Sequence, residues 1–195
     1  MLISDLRREV EYIIQDTIDP DHLIAIVNEC LREDLVRVLR LETRATITLA
    51  KDEATVSYPG DIYEILLLKA KGNSQSKPRA IPELPLDNEC DSGYMFFGGS
   101  IDLLRMDDKP YTLYIWYHRY PAEIKSLDDT PDIPLQYHHA LKYYFLAKHH
   151  KHDSAFADEQ DWWGDYLKIR SQIEDSGRKK TGLQRPRRVV SGCWR

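Results

Sequence analysis

The chain has 195 residues, 42% of them hydrophobic, with 27 basic and 32 acidic side chains and a formal net charge of -5, enough apolar material to bury a core and too much for a disordered chain. No run approaches the roughly 18 apolar residues of a membrane-spanning helix, and the opening MLISDLRREVEY lacks the apolar stretch of a signal peptide, so a soluble chain made in the cytoplasm is expected. Cys30, Cys90 and Cys193 are odd in number, far apart and without a CxxC pair, which argues against a disulfide framework or a cysteine zinc site.

Leu2, Ile3, Leu6, Val10, Ile13 and Ile14 fall at helical spacing and predict an amphipathic helix. Asp19-Pro20-Asp21 then supplies an N-cap, a proline at the first helical position and an acid in the first turn. Leu23, Ile24, Val27, Cys30, Leu31, Leu35 and Val38 carry a second helix to about Leu39, antiparallel to the first because the link is short.

After Leu41 the period changes to two. Ala45 to Leu49 and Ala54 to Tyr58 alternate and are rich in β-branched residues, so they read as a hairpin around Lys51-Asp52-Glu53. Ile62 to Ala70 is a further candidate strand, with a helical turn over Ile62 to Leu66 as the alternative because short apolar runs suit both, and residues 71–93, with Pro78, Pro82, Pro85, Gly72 and Gly93, have the composition of a long surface loop. Tyr94 to Phe97 and Ser100 to Leu104 predict two strands joined by a turn at Gly98-Gly99. Tyr111 to Tyr120, YTLYIWYHRY, is bulky on both faces and therefore central or covered on both sides. Its aromatic residues Tyr111, Tyr114, Trp116, Tyr117 and Tyr120 could stack nucleic-acid bases, but that use needs interleaved basic residues. Within the segment only His118 and Arg119 qualify, so strand core and subunit packing explain it better.

Pro131 and Pro134 lead into a helix carrying Leu135, His138, Leu141, Tyr144, Phe145 and Lys148, and a last helix runs from a cap at Asp153 or Ser154 to Gly177, where glycine closes it. Trp162 and Trp163 are adjacent and so point about 100° apart on a helix. Both cannot face one core, and one becomes an anchor for a subunit interface.

From Arg178 onward the chain holds seven basic residues and no acid, which leaves residues 1–177 with 20 basic against 32 acidic side chains, a formal charge of -12. An acidic body with a basic tail marks an interaction arm. Arg178, Lys179, Lys180, Arg185, Arg187 and Arg188 supply the charge, and Val189, Val190 and Trp194 supply apolar anchors. Its partner is either nucleic acid, through phosphates, or an acidic groove on another protein.

Chemistry is scarce. His138, His139, His149, His150, His152 and Asp153 cluster with Asp158, Glu159 and Asp161, and His149 and Asp153 at helical spacing could share a metal. There is no HExxH and no second pair, so a polar helix end is the plainer account. No GxSxG elbow and no GxxxxGK[ST] loop occurs in the sequence, and the expectation is a protein without catalytic residues or cofactor.

The order of these parts resembles the head-to-tail adaptor proteins that sit beneath the portal of tailed bacteriophages, the short-tailed ones in particular. The resemblance covers residues 1 to about 170. It lies in the helix pair, in Thr48-Leu49 to Val56-Ser57-Tyr58-Pro59 with Asp61, and in Tyr117-His118-Arg119-Tyr120-Pro121. Ile133-Pro134-Leu135-Gln136-Tyr137-His138 before Ala140-Leu141, and a final helix with Trp163 and Tyr166, complete it.

It implies an α+β fold with a helical hub, an N-terminal helix pair at 1–42 and C-terminal helices at 122–177. A β-rich sandwich or barrel would be inserted at 43–121, and an extended basic arm would follow at 178–195. It further implies a virion protein at the portal-tail junction, assembled in the host cytoplasm as a ring of about twelve copies. Such a ring binds the portal protein through the arm and tail or nozzle proteins on its other side. Packaged double-stranded DNA passes through the channel, and no membrane is involved. The alternatives are a nucleic-acid-binding accessory protein using the same arm and a metal-dependent enzyme built on the histidine-rich helix end.

Overall fold

The computed structural model describes residues 1–50, 55–72, 77–84, 93–97, 99–104, 111–152 and 156–181. The fold is mixed α+β, with helices and two antiparallel sheets. The chain divides into two compact units, one of Met1–Leu39 together with the chain from Ala122, the other Arg40–Pro121.

In the helical unit, α1 (Ile3–Ile14) buries Ile3, Leu6 and Val10, the stripe its spacing predicts. The Leu2 N–H donates to Asp5 Oδ2 at 3.1 Å, satisfying an amide that the first turn leaves without a helical partner. At the far end Gln15 takes φ 56°, the left-handed conformation that stops a helix. Asp19 stands at the N-cap position of α2 (Pro20–Glu29) without a side-chain cap bond, and Pro20 takes the first helical position. Helical winding then continues to Leu39 through a π-helical segment, Cys30–Leu35, and α3 (Val36–Leu39). The wide turn holds Cys30, Leu31 and Leu35 in the core, and π-turns of this kind often mark places where a side chain is redirected for a purpose.

A 3-10 turn, Leu135–Tyr137, opens α4 (His139–His152), and α5 (Phe156–Thr181) follows. Ala140, Leu141, Tyr144, Phe145 and Leu146 of α4 join Tyr166 and Ile173 of α5 and the buried faces of α1 and α2 in one cluster. The backbone of α5 runs on through Thr181, four residues past Gly177, where the sequence reading ends the helix and begins an extended arm. A glycine inside a helix costs only about 1 kcal/mol relative to alanine, so the good helix formers Arg178, Lys179 and Lys180 carry the winding through it.

In the other unit, β1 (Glu42–Leu49), β3 (Ile62–Gly72), β4 (Arg79–Ala80) and β7 (Tyr111–Arg119) form a sheet of order β1-β7-β3-β4, while β2 (Thr55–Ser57), β5 (Gly93–Phe97) and β6 (Ser100–Leu104) form a second of order β2-β6-β5. The expected hairpin of the first two strands is not formed. β1 pairs along its whole length with β7, and β2 pairs with β6. The long apolar β7 offers β1 eight cross-strand partners, more than the three-residue β2 could provide, and cross-strand pairs are what stabilise a sheet.

β7 is central, with β3 on its other edge and bulges in β3 near Tyr63 and Leu66. The stretch 71–93 is not all surface loop: β4 pairs with β3, Ile81 and Leu84 are buried, and Glu83 bridges Tyr94 in parallel. Leu49, Leu68, Leu113, Ile115 and Tyr117 of the larger sheet share one core with Tyr94, Ile101 and Leu103 of the smaller. β5 and β6 pair with Phe97 opposite Ser100. Gly99 between them has φ 87°, a conformation that excludes most side chains.

Candidate interface surfaces

Within the helical unit α5 is held by polar contacts that are widely separated in sequence. The buried Tyr166 hydroxyl donates to Asp34 Oδ2 at the end of the π-helical segment, Arg170 Nε donates to Asp34 Oδ1 at 2.9 Å, and the Cys30 thiol lies 3.9 Å from the same hydroxyl. Beside it Tyr144 Oη and Lys148 Nζ both donate to Glu29 Oε1, at 2.9 and 2.6 Å. Burial pushes the Tyr166 and Tyr144 phenols and the Cys30 thiol well above their ordinary values, and the Lys148 ammonium holds the Glu29 carboxyl below its own against the opposing effect of burial. Phenols held so high stay protonated and remain donors. The network ties α4 and α5 to Glu29 and Asp34.

The two tryptophans separate as their spacing requires. Trp162 is half-buried against the helical core and stacks on Tyr143 with ring centroids 5.8 Å apart. Trp163 is 39% exposed and rests on Tyr144 and Tyr166, and Leu167, one turn on, is 43% exposed. Trp163 and Leu167 form an apolar strip on the surface of α5.

Of the basic residues, Arg178, Lys179 and Lys180 lie on the last turn of α5. Arg185, Arg187, Arg188, Val189, Val190 and Trp194 lie outside the described residues.

The sheet unit carries a surface that the sequence conceals. Leu113, Ile115 and Tyr117 of β7 point into the core, so Thr112, Tyr114 and Trp116 lie on the opposite face. Register places Arg44 of β1 across from Trp116, and Lys69 and Lys71 of β3 across from Tyr114 and Thr112. The Arg44 guanidinium lies 4.6 Å from the Tyr114 ring centroid and 4.9 Å from that of Trp116, with Lys69 Nζ 5.2 Å from Trp116. The basic residues missing from YTLYIWYHRY come from its neighbours on either side. At one end of the face the buried His118 contacts Glu64 at 3.1 Å, with Glu42 3.9 Å from its other nitrogen.

The histidines of the C-terminal half do not converge. His138 Nε2–H donates to the Ile133 carbonyl at 3.0 Å, while His149 stacks on Phe145 at 5.8 Å. The side chains of His150, His152, Asp153, Asp158 and Glu159 lie outside the described ones. Among the described residues no three or more His, Cys, Asp or Glu side chains are placed to hold a metal, and no helix is long and apolar enough to cross a membrane. An open cleft of about 520 Å³ is lined by Met1, Asp5, Arg8, Glu9, Leu135, His138 and His139.

No curated protein matches the chain. The family model described as SU10 adaptor protein matches residues 1–190, so the chain belongs to the SU10 adaptor protein family and is a structural adaptor of a tailed bacteriophage.

Proposed function

We propose that this adaptor joins the portal vertex of a capsid to the tail as a closed ring of about twelve copies, the symmetry a portal imposes on what docks beneath it. The family match over residues 1–190 carries this reading. The helical unit serves as the hub of the ring. The two sheets, whose buried residues join in one core, close as a sandwich that faces tail or nozzle proteins. The basic residues from Arg178 to Arg188, with Val189, Val190 and Trp194, reach the portal protein, charge steering the encounter and apolar side chains holding it. Trp163 supplies an anchor between neighbouring copies, since exposed indoles are favoured at the centre of interfaces.

The net charge of -12 on residues 1–177 suits a channel wall that repels the packaged double-stranded DNA and lets it slide. The ring is a virion component assembled in the host cytoplasm. The test is electron microscopy of portal rings incubated with wild-type protein and with an Arg187→Glu/Arg188→Glu variant. A second ring of density beneath the portal is expected with the wild type and not with the variant, and equal decoration by both would remove the arm from the account.

A further inference from the structure

The outer face of the four-stranded sheet gathers basic side chains around two aromatic rings. Residues 1–39 and 122–177, the helical unit without its basic arm, hold 20 acidic and 10 basic side chains, a formal charge of -10 that the seven basic residues from Arg178 onward reduce to -3, whereas residues 40–121 hold 12 and 10, a charge of -2. Within that nearly neutral unit, Arg44, Lys69 and Lys71 gather on one face around Tyr114 and Trp116, beside the hydroxyls of Thr46, Thr48 and Thr112 that register places there. Arg44, Thr46 and Thr48 are exposed. A guanidinium over aromatic rings still has N–H groups to offer a carboxylate.

This arrangement discriminates among partners. Arg44 already covers Tyr114 and Trp116, and Lys69 lies against Trp116 as well, so nucleic-acid bases find no bare ring to stack on. A phosphate backbone is uniformly negative, and along this face it would also meet Glu42 and Glu64 beside His118. A protein surface of mixed charge with acids in excess matches both ends of the face. The helical unit is such a surface, and it carries the exposed apolar pair Trp163 and Leu167.

A closed ring needs two different, complementary patches on every copy. We propose that the outer face of the four-stranded sheet receives the acidic helical unit of a second copy of this chain, with Trp163 and Leu167 seated against the Arg44-Tyr114-Trp116-Lys69 slab. This inference rests on the ring reading above and names the interface that closes the ring.

The interface is head-to-tail, so it can be broken from either side and half-restored by mixing. One variant carries Arg44→Glu and Lys69→Glu, the other Trp163→Ala and Leu167→Ala. All four side chains are exposed or half-buried, and circular dichroism of each variant against wild type checks that it folds. Full-length proteins are assembled on portal rings, with wild type as the control, and the complexes and the free mixture are sized by analytical ultracentrifugation.

Each variant alone should bind the portal at least tenfold more weakly than wild type, because closing the ring multiplies the affinity of each copy. The two variants mixed without portal should form 1:1 dimers that grow no further, each supplying the half the other lacks. Wild-type rings formed by either variant, no dimer on mixing, or complete rings of the sheet variant that fail only to bind tail protein or DNA would each overturn the inference. Failure of wild type to join the portal would instead overturn the ring reading itself.

Discussion

Asn28 and Ile124, 96 residues apart, are joined by a reciprocal pair of hydrogen bonds: Asn28 Nδ2 donates to the Ile124 carbonyl at 2.8 Å and the Ile124 amide donates to Asn28 Oδ1 at 2.9 Å. The asparagine amide satisfies both backbone groups of a residue just past the return of the chain from the β unit, as a neighbouring strand would. Asn28→Ala removes both bonds and strands the Ile124 peptide beside a buried side chain. It should cost about 2 kcal/mol of stability, read as a lower urea midpoint. Asn28→Asp keeps the acceptor and loses the donor, so it should fall between alanine and wild type.

His138 sets a pH limit on the helical unit. Its Nε2–H donates to Ile133 while Nδ1 is buried without a hydrogen-bond partner, so a second proton has nowhere to bond. Burial accordingly holds the imidazole below its ordinary value of 6.5. The unfolded chain then binds the proton first as pH falls, and stability declines below about pH 6.5. Melting followed from pH 7.5 to 5.5 should show a falling Tm that His138→Gln flattens. An unchanged slope in that variant would assign the effect elsewhere.

Two glycines should respond oppositely to alanine. A Cβ at Gly93 would lie 2.5 Å from Leu84 Cγ and 2.7 Å from the Pro82 carbonyl, where the backbone of Leu84 and Tyr94 also bonds. Gly93→Ala should therefore cost about 1 to 3 kcal/mol. Gly164 sits inside α5 with nothing within 4 Å of its Cβ position, so Gly164→Ala should stabilise by about 0.5 to 1 kcal/mol. Thermal denaturation of the two variants beside wild type checks both signs.

Periodicity made some parts legible and hid others. The stripe Ile3, Leu6 and Val10 and the central strand β7 follow from local spacing, which is all a sequence displays directly. Pairing does not: β1 and β2 are close in the chain yet join different sheets, because the partner that suits β1 lies more than sixty residues later in β7. The same limit hid the basic face, since Arg44 and Lys69 meet Trp116 only through register. It also hid the contact of Asp34 with Tyr166 and Arg170, set by a π-turn that no residue pattern announces. The spacing of Trp162 and Trp163 did foretell that they part, though not which one is exposed.

The central claim is tested most directly by sedimenting the purified protein with the portal ring of its own phage. The account predicts a stable complex holding about a dozen copies per portal, with incorporation lost when residues 182–195, beyond the end of α5, are removed. A mixture that sediments as two separate species, with the protein bound instead to DNA or a metal ion, would contradict it.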